Sequence, residues 1–151
     1  MTIYPDSSFL ARYFLEPESL PEQMAVLKRQ NRKLPVFWLH RFEVVNAFFL
    51  YAFSSAAGSG TRVSREWAEV SRSLFLDALD SGQSALTEVS LAPSVLWRKF
   101  DELSLRYTAR RGYRTYDLMH VSAALLWQCD GFWSFDGKAN DLAKREGLKV
   151  L

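Results

Sequence analysis

The sequence predicts an α/β fold built on a central parallel sheet. Short apolar runs of the kind that form buried strands alternate along the chain with longer segments of helical periodicity. The chain has 151 residues, the length of one domain, and its apolar fraction of 48% and aromatic fraction of 15% suffice for a sizeable core. We therefore expect a single domain over residues 1–151, in which helices cross over between parallel strands.

The first half of the chain is expected to carry strands and helices up to a loop rich in Gly and Ser. Asp6 suits the N-cap of the first helix, and Ser19 with Pro21 marks the start of the second. In order, the predicted elements are a strand at 2–5, a helix directly after it, a helix from 21 to about 30, a strand at 35–38, a long helix from about 40 to 56 and the loop at 57–60.

The second half continues the same alternation. Trp67, Val70 and Leu74 recur at the three- and four-residue spacing of a helix with one buried face. Gly112 is expected to stop a later helix, and Thr115 to cap the next one. In order, the predicted elements are a helix at about 64–80, a strand at 84–89, a helix at 92–110, the helix after Thr115, a strand at 132–135, a helix at 138–145 and a strand at 148–151.

Composition limits the classes of function. The net charge of +2 permits nucleic-acid binding without requiring it. Cys129 is the single cysteine, which excludes an internal disulfide and the usual structural zinc site and fits a reducing compartment. No apolar run approaches the ~18 residues of a membrane span, and no signal-like segment opens the chain. We therefore expect a cytoplasmic protein with no membrane partner.

Four acidic residues lie at the edges of apolar elements, where acids are unusual. Asp6 and Asp136 each follow a predicted strand, Glu43 interrupts the apolar part of the long helix, and Asp117 opens an apolar helix. Carboxylates are rarely buried unless they are paired, hydrogen-bonded or bound to a cation. Strand ends and helix starts of a parallel sheet meet at one edge. The pattern predicts a shared acidic pocket, and hard oxygen ligands suit Mg²⁺ or Mn²⁺.

Each acid also has a plainer explanation. Asp6 suits an N-cap. Glu43 and Asp117 would fit the first turn of a helix, where the macrodipole favours negative charge. Asp136 with Gly137 is a common turn pair. Taken singly these explanations are adequate, and it is the set of four that favours a functional pocket.

The segments around the acids resemble, in order, those of the PIN-domain family, and most of all the VapC toxins of bacterial toxin–antitoxin pairs. The resemblance covers the whole chain, and its specificity lies in the ordered set. The matching segments are Ile3-Tyr4-Pro5-Asp6-Ser7-Ser8-Phe9-Leu10, Phe42-Glu43-Val44-Val45-Asn46-Ala47, Tyr116-Asp117-Leu118-Met119-His120-Val121-Ser122-Ala123-Ala124, Phe132-Trp133-Ser134-Phe135-Asp136 and Ala143-Lys144-Arg145-Glu146-Gly147-Leu148-Lys149-Val150.

The resemblance implies a three-layer α/β/α PIN-like domain and hydrolysis of RNA phosphodiester bonds with Mg²⁺ or Mn²⁺. It implies that Asp6, Glu43, Asp117 and Asp136 surround the metal, with Asp6 and Asp117 as the first choices for direct ligands. It further implies a cognate antitoxin protein as partner, and a homodimer. Ser134 stands where the family usually has Thr. Asp141 is an alternative to Asp136, although Asp136 fits the strand-end position better.

A basic run lies just before Asp117. Arg110, Arg111 and Arg114 alternate with aromatic residues, a pattern suited to phosphates and unstacked bases. A solvated helix end is the plainer interpretation of this run. Ser8 is predicted to orient the first carboxylate or a water.

Three functional hypotheses follow from these patterns. The first is a metal-dependent endoribonuclease, the second is a non-catalytic module that binds RNA or protein, and the third is a nuclease acting on DNA. His120 and Cys129 lie in apolar surroundings and are expected to be structural rather than catalytic. His40 is expected to be a surface or capping residue.

Overall fold

The structure, a computed structural model, describes residues 2–30, 33–58, 62–81 and 85–150. The strands in chain order are β1 (Ile3–Pro5), β2 (Leu34–Val36), β3 (Leu86–Glu88), β4 (Gly131–Trp133) and β5 (Lys149–Val150). The helices are α1 (Ser7–Leu15), α2 (Pro21–Gln30), α3 (Trp38–Ala56), α4 (Arg65–Asp80), α5 (Pro93–Leu103), α6 (Ala109–Arg111), α7 (Thr115–Leu126) and α8 (Gly137–Arg145). Parts of the predicted loop at 57–60 and of the predicted strands at 84–89 and 148–151 lie outside the described residues.

The chain divides into two compact units. Met1–Asp6 and Val89–Leu151 form the first, here called the terminal unit, and Ser7–Glu88 forms the second, the central unit. The fold is α/β, and its parallel sheet β1-β4-β5 is flanked by helices, which confirms the predicted class. A single domain over residues 1–151 stays a prediction.

The terminal unit is built on three parallel strands in the order β1-β4-β5. Ile3 pairs with Gly131 and Pro5 with Trp133, so β1 and β4 end side by side. Pro5 lacks an N–H and is tolerated because β1 is an edge strand of this sheet. The rings of Tyr4 and Phe132 stack in the core, with centroids 5.5 Å apart.

Helix α7 is the buried helix of the terminal unit, and it packs against α5 and α8. Its buried side chains include the apolar Leu118 and Val121, and the polar Asp117, His120 and Ser122 are buried with them. An apolar helix of this kind is held by burial rather than by amphipathic patterning. The packing fixes the position of its first turn, where Asp117 lies.

The central unit contains the parallel pair β2-β3 and helices α1 to α4. Helix α1 packs against α3 and α4, and α3 packs against α4. Phe48 of α3 and Phe75 of α4 are fully buried, with ring centroids 6.2 Å apart. Within the described ranges, no helix combines the length and apolar character that a membrane span requires.

Several boundaries differ from the predictions for local reasons. The second strand ends at Val36, because Phe37 is the N-cap of α3 and its N–H donates to His40 Nδ1 at 3.1 Å. The helix expected at 92–110 is interrupted by a π-helical turn at Ser104–Thr108. Gly112 ends this region with a left-handed φ of 64°, as predicted.

The N-cap expected at Thr115 is wrong by one position. Arg114 is the N-cap of α7, and Thr115 is its first helical residue. The N–H of Arg114 donates to Asp117 Oδ2 at 2.9 Å, so the helix start is closed by a carboxylate rather than by the threonine hydroxyl.

Candidate active site

Asp117 is a buried carboxylate in the first turn of α7. The residue is 4% exposed, and besides the N–H of Arg114 it accepts hydrogen bonds from the Arg114 side chain. Part of its role is therefore the plainer one of satisfying a helix N-terminus. Its negative charge is also paired with the guanidinium of Arg114.

Asp136 is the N-cap of α8, and its two oxygens face different partners. Oδ1 accepts the N–H of Lys138 at 2.8 Å and of Ala139 at 3.2 Å, and Oδ2 binds the guanidinium of Arg114. Burial raises the pKa of Asp136, but the N–H of Ala139, Arg114 and the N–H of Lys138 together hold that pKa below its ordinary value. The carboxyl is thus ionised at neutral pH.

Arg114 connects these two acids. Its Nη2 is 3.0 Å from Asp117 Oδ1, its Nε is 3.2 Å from Asp117 Oδ2, and Nη2 also binds Asp136 Oδ2. The hydrogen bonds to Asp117 and then to Asp136 raise the pKa of Arg114. Two carboxylates from two helices therefore converge on one positive group.

Asp6 is joined to the same strand ends by a serine hydroxyl. Asp6 follows β1, and its N–H donates to the carbonyl of Trp133 at 2.9 Å. Ser134 Oγ donates to Asp6 Oδ2 at 2.5 Å and accepts the N–H of Asp136 at 2.8 Å. Asp6 and Ser134 are both buried, so this hydroxyl fixes one acid relative to the backbone of another.

Asp6, Asp117 and Asp136 of the terminal unit carry the kind of donor atom that a divalent metal takes. All are carboxylates, the hard oxygen ligands that Mg²⁺ and Mn²⁺ prefer. The meeting of Asp117 and Asp136 at Arg114 places two of them around one cation position. Among the described residues, no group of three or more His, Cys, Asp or Glu side chains is arranged to hold a metal ion. The fit therefore rests on the pair of carboxylates at Arg114, with Asp6 attached through Ser134.

Glu43 lies in the central unit, a full turn inside α3 rather than in its first turn. The macrodipole explanation given from the sequence is therefore wrong for this residue. Ser7 Oγ donates to Glu43 Oε2 at 2.8 Å. Ser8, the serine selected from the sequence, is half-buried in α1, and its role stays a prediction.

The arginines in and beside the basic run are all exposed, and two of them, Arg106 and Arg114, form ion pairs with acids. Arg106 binds Glu102 and Glu146, with Nη2 and Nη1 at 2.7 Å and 2.9 Å from their carboxylates. Arg110 and Arg111 are exposed on α6. Arg114, predicted to bind substrate, is held by the acids in this structure.

Asp141, the alternative fourth acid, belongs to a different group of side chains. Tyr113 Oη donates to Asp141 Oδ2 at 2.5 Å, and Arg145 Nε lies 3.0 Å from the same oxygen. The hydrogen bonds from Arg145 and Tyr113 lower the pKa of Asp141. The structure thus groups Asp136, and not Asp141, with Asp117.

The residues expected to be structural are buried. His120 is 4% exposed, and its Nδ1 lies 2.7 Å from Tyr4 Oη, which fits the structural role predicted for it. His40 is fully buried as well as capping, so a surface position is wrong for it. Cys129 is a buried free thiol in the turn after α7, and burial followed by the charge of Asp130 raises its pKa to about 11.

Besides the contact of Ser134 with Asp6, two contacts of the site residues were missed from the sequence. The first is the hydrogen bond from Ser7 to Glu43, which involves the serine next to Ser8, the serine for which a role was predicted. The second is Arg114 with two acids. An arginine three residues before Asp117 suggests a helix-start contact, but nothing local indicates Asp136, which lies 22 positions further along.

The parallel sheet β1-β4-β5 and its flanking helices form an α/β fold that matches a PIN-like structure. The structure is similar to the crystal structure of PAE2754 from Pyrobaculum aerophilum, a PIN-domain protein, with a TM-score of 0.58 and 20% sequence identity. The match covers 99% of this chain and 89% of that chain. No protein-family model matches the sequence, and no curated protein matches it. At this identity the similarity establishes the fold.

Proposed function

We propose that the protein is a divalent-metal-dependent endoribonuclease that hydrolyses RNA phosphodiester bonds, of the VapC toxin kind. The observation that carries the proposal is the convergence of Asp117 and Asp136 on one cation position. Asp6 is linked to the same strand ends through Ser134. Carboxylates held close together at neutral pH repel each other and bind a cation favourably, and a hydrolytic metal site needs this property.

Asp6, Asp117 and Asp136 would hold Mg²⁺ or Mn²⁺. A bound divalent metal supplies charge neutralisation of the phosphodiester and a more acidic water. The protein's own contribution is positioning. The N–H groups of α8 hold Asp136, the buried helix α7 holds Asp117, and Ser134 orients Asp6. Glu43 is retained as a predicted fourth acid on the family resemblance alone.

The exposed cations of the terminal unit suit a polyanionic substrate. Arg110 and Arg111 lie on the short helix that precedes Arg114 and α7. Tyr116, beside Asp117 in sequence, is 55% exposed and presents an aromatic face on which a base can stack. These features support a nucleic-acid substrate, and RNA rather than DNA follows from the resemblance.

The test is cleavage of defined structured RNAs by the purified protein, in parallel reactions with Mg²⁺, Mn²⁺ or EDTA. We expect metal-dependent cuts that disappear with EDTA and with Asp6→Asn, which preserves the size of a buried side chain. Circular dichroism of the variant checks that it is folded. Full activity of the folded variant would exclude Asp6 from the reaction. Cleavage of DNA but not of RNA would instead support the hypothesis of a nuclease that acts on DNA.

A second candidate is a non-catalytic RNA-binding module on the same fold. The specific observation that favours it is Arg114, which already neutralises Asp117 and Asp136. RNA that is bound but uncut under every metal condition would support this alternative.

A cognate antitoxin and a homodimer are further proposals from the resemblance. Phe48 of α3 is fully buried and belongs to the core, so it does not contribute to a contact surface. Phe42, Leu50 and Phe53 are the exposed large apolar side chains of α3 after its first residue, and Phe53 is 73% exposed. Light scattering of Phe53→Asp beside the wild type tests whether this face joins two copies. An unchanged mass with a dimeric wild type would exclude it.

A further inference from the structure

Arg114 and its acids differ in how firmly they are held. The Arg114 side chain is 63% exposed, whereas the Asp117 side chain is 5% exposed and the Asp136 side chain 30%. Backbone N–H groups fix both carboxylates, from Arg114 itself for Asp117 and from Lys138 and Ala139 for Asp136. A long exposed side chain can therefore turn away while the two carboxylates stay in place.

The charges in this group do not balance. Two carboxylate side chains face one guanidinium, and one of the two, Asp117, is buried. Ion pairs formed by exposed arginines are weak, since solvent screens them and ordering the side chain costs entropy. A divalent cation would balance both carboxylates and would compete well against a single guanidinium.

Two other cations of the terminal unit have different partners. Lys138 donates from Nζ to the carbonyl of Gly112 at 2.7 Å, which closes the end of α6. Arg106 is held by Glu102 and Glu146. Arg114 is the residue whose guanidinium contacts both candidate ligands.

We propose that Arg114 is a displaceable counter-cation. It neutralises Asp117 and Asp136 in the metal-free protein, yields them to the divalent metal, and then binds a phosphate of the RNA with its released guanidinium. The inference rests on the proposed metal-dependent nuclease and adds an antagonism between one side chain and the metal. The contacts of Arg114 with the two acids and the binding of metal to those acids exclude one another, and such coupling is reciprocal. Arg114 therefore weakens metal binding. Bound metal in turn releases Arg114 and so strengthens its contribution to RNA binding.

Calorimetric titration of Mn²⁺ into the metal-free full chain tests the first half. We expect Arg114→Ala to bind Mn²⁺ more tightly by about threefold to tenfold, the range for removing the ion pairs of one solvent-exposed arginine. Arg145→Ala is the matched control, since Arg145 also pairs with a carboxylate of the terminal unit, and its Mn²⁺ affinity should stay within about twofold of the wild type. Asp117→Asn should lose the binding, which assigns the measured site.

The outcomes separate this inference from the proposed function. Equal or weaker Mn²⁺ binding by Arg114→Ala would overturn the counter-cation while leaving a metal site in place. No Mn²⁺ binding by the wild type or by Arg114→Ala would overturn both. Circular dichroism of the two arginine variants checks that each is folded.

Fluorescence anisotropy with a phosphorothioate RNA oligonucleotide, which resists cleavage, tests the second half. With Mn²⁺ present, Arg114→Ala should weaken RNA binding and reduce the slope of log affinity against log salt by about 0.7, the value for one single-strand phosphate contact. In EDTA the two proteins should show the same slope, because the acids then hold Arg114. A slope difference of the same size with Mn²⁺ and with EDTA would mean that Arg114 binds RNA independently of metal. It would overturn the proposal that metal releases Arg114 for RNA binding.

Discussion

Two arginines of the terminal unit bind carboxylates in different ways. Arg145 pairs with Asp141 on the same helix at i,i+4 spacing, with its Nε 3.0 Å from the carboxylate. Arg114 binds Asp117 in the first turn of α7 and also Asp136 at the start of α8. The first contact follows from helix geometry alone. The second requires the tertiary fold to bring two acids together.

The difference shows which group has the properties of a site. An i,i+4 ion pair on an exposed helix contributes little to stability and can form on any helix with that spacing. Two acids held by separate helices, one of them buried, persist only if the fold offsets their repulsion and desolvation. Such an arrangement is expected where a cation is used, and the predictions below test whether only the Arg114 group uses one.

The largest expected effect is on catalysis. Asp117→Asn should lower RNA cleavage by more than about a hundredfold, because a direct metal ligand matters more than the outer groups that typically cost 10- to 100-fold. Asp141→Asn should retain most of the activity, since Asp141 is engaged by Tyr113 and Arg145. Initial rates at saturating Mg²⁺ compare the two variants. Equal losses in both would remove the distinction between the groups.

An intermediate effect is expected on stability at Ser134. Its hydroxyl donates to Asp6 and accepts the N–H of Asp136, and the residue is 2% exposed. Ser134→Ala removes one donor to a buried carboxylate and one acceptor of a backbone N–H, and should cost about 1–3 kcal/mol of unfolding free energy.

Ser134→Thr is the matched control for that measurement. It keeps the hydroxyl, and it introduces the residue that the resembling family usually carries at this position. Chemical denaturation in EDTA should place it nearer to the wild type than Ser134→Ala. A threonine variant as unstable as the alanine variant would show that packing, and not the hydroxyl, decides stability here.

Much of the fold could be predicted because its determinants are local. Alternation of apolar runs and helical periodicity located the strands and helices, and Gly112 marked a helix end through its own backbone preference. Asp6 and Asp136 were placed after neighbouring strands for the same reason, since strand ends are visible in the sequence. The interruption of the 92–110 helix was not predicted, because its residues keep helical spacing through the π-helical turn.

The site was less predictable, because its contacts join residues distant in sequence. Arg114 and Asp136 are 22 positions apart, and Ser134 and Asp6 are 128 apart. Periodicity reports which face of an element is buried, but it carries no information on which side chain lies opposite. Arg110, Arg111 and Arg114 were therefore assigned to substrate together, with a solvated helix end as the alternative, whereas the structure shows Arg114 bound to two acids.

The smallest expected effect is the pH dependence of the Asp141 group. The hydrogen bonds from Arg145 and then Tyr113 hold the pKa of Asp141 below its ordinary value. A carboxyl whose pKa is lower in the folded state stabilises that state above its unfolded pKa, and this contribution is lost as the pH falls through the folded pKa.

Asp141→Asn should therefore lower the Tm by about 1–3 °C at pH 6, the scale of one exposed ion pair in a chain of this size. The difference from the wild type should shrink below about pH 4, and Asp101→Asn, on the exposed surface of α5, serves as the control. A Tm difference that stays constant down to pH 2.5 would show that the loss arises from packing. The contact between Arg145 and Asp141 would then not stabilise the protein as an ion pair, and the comparison with the Arg114 group would fail.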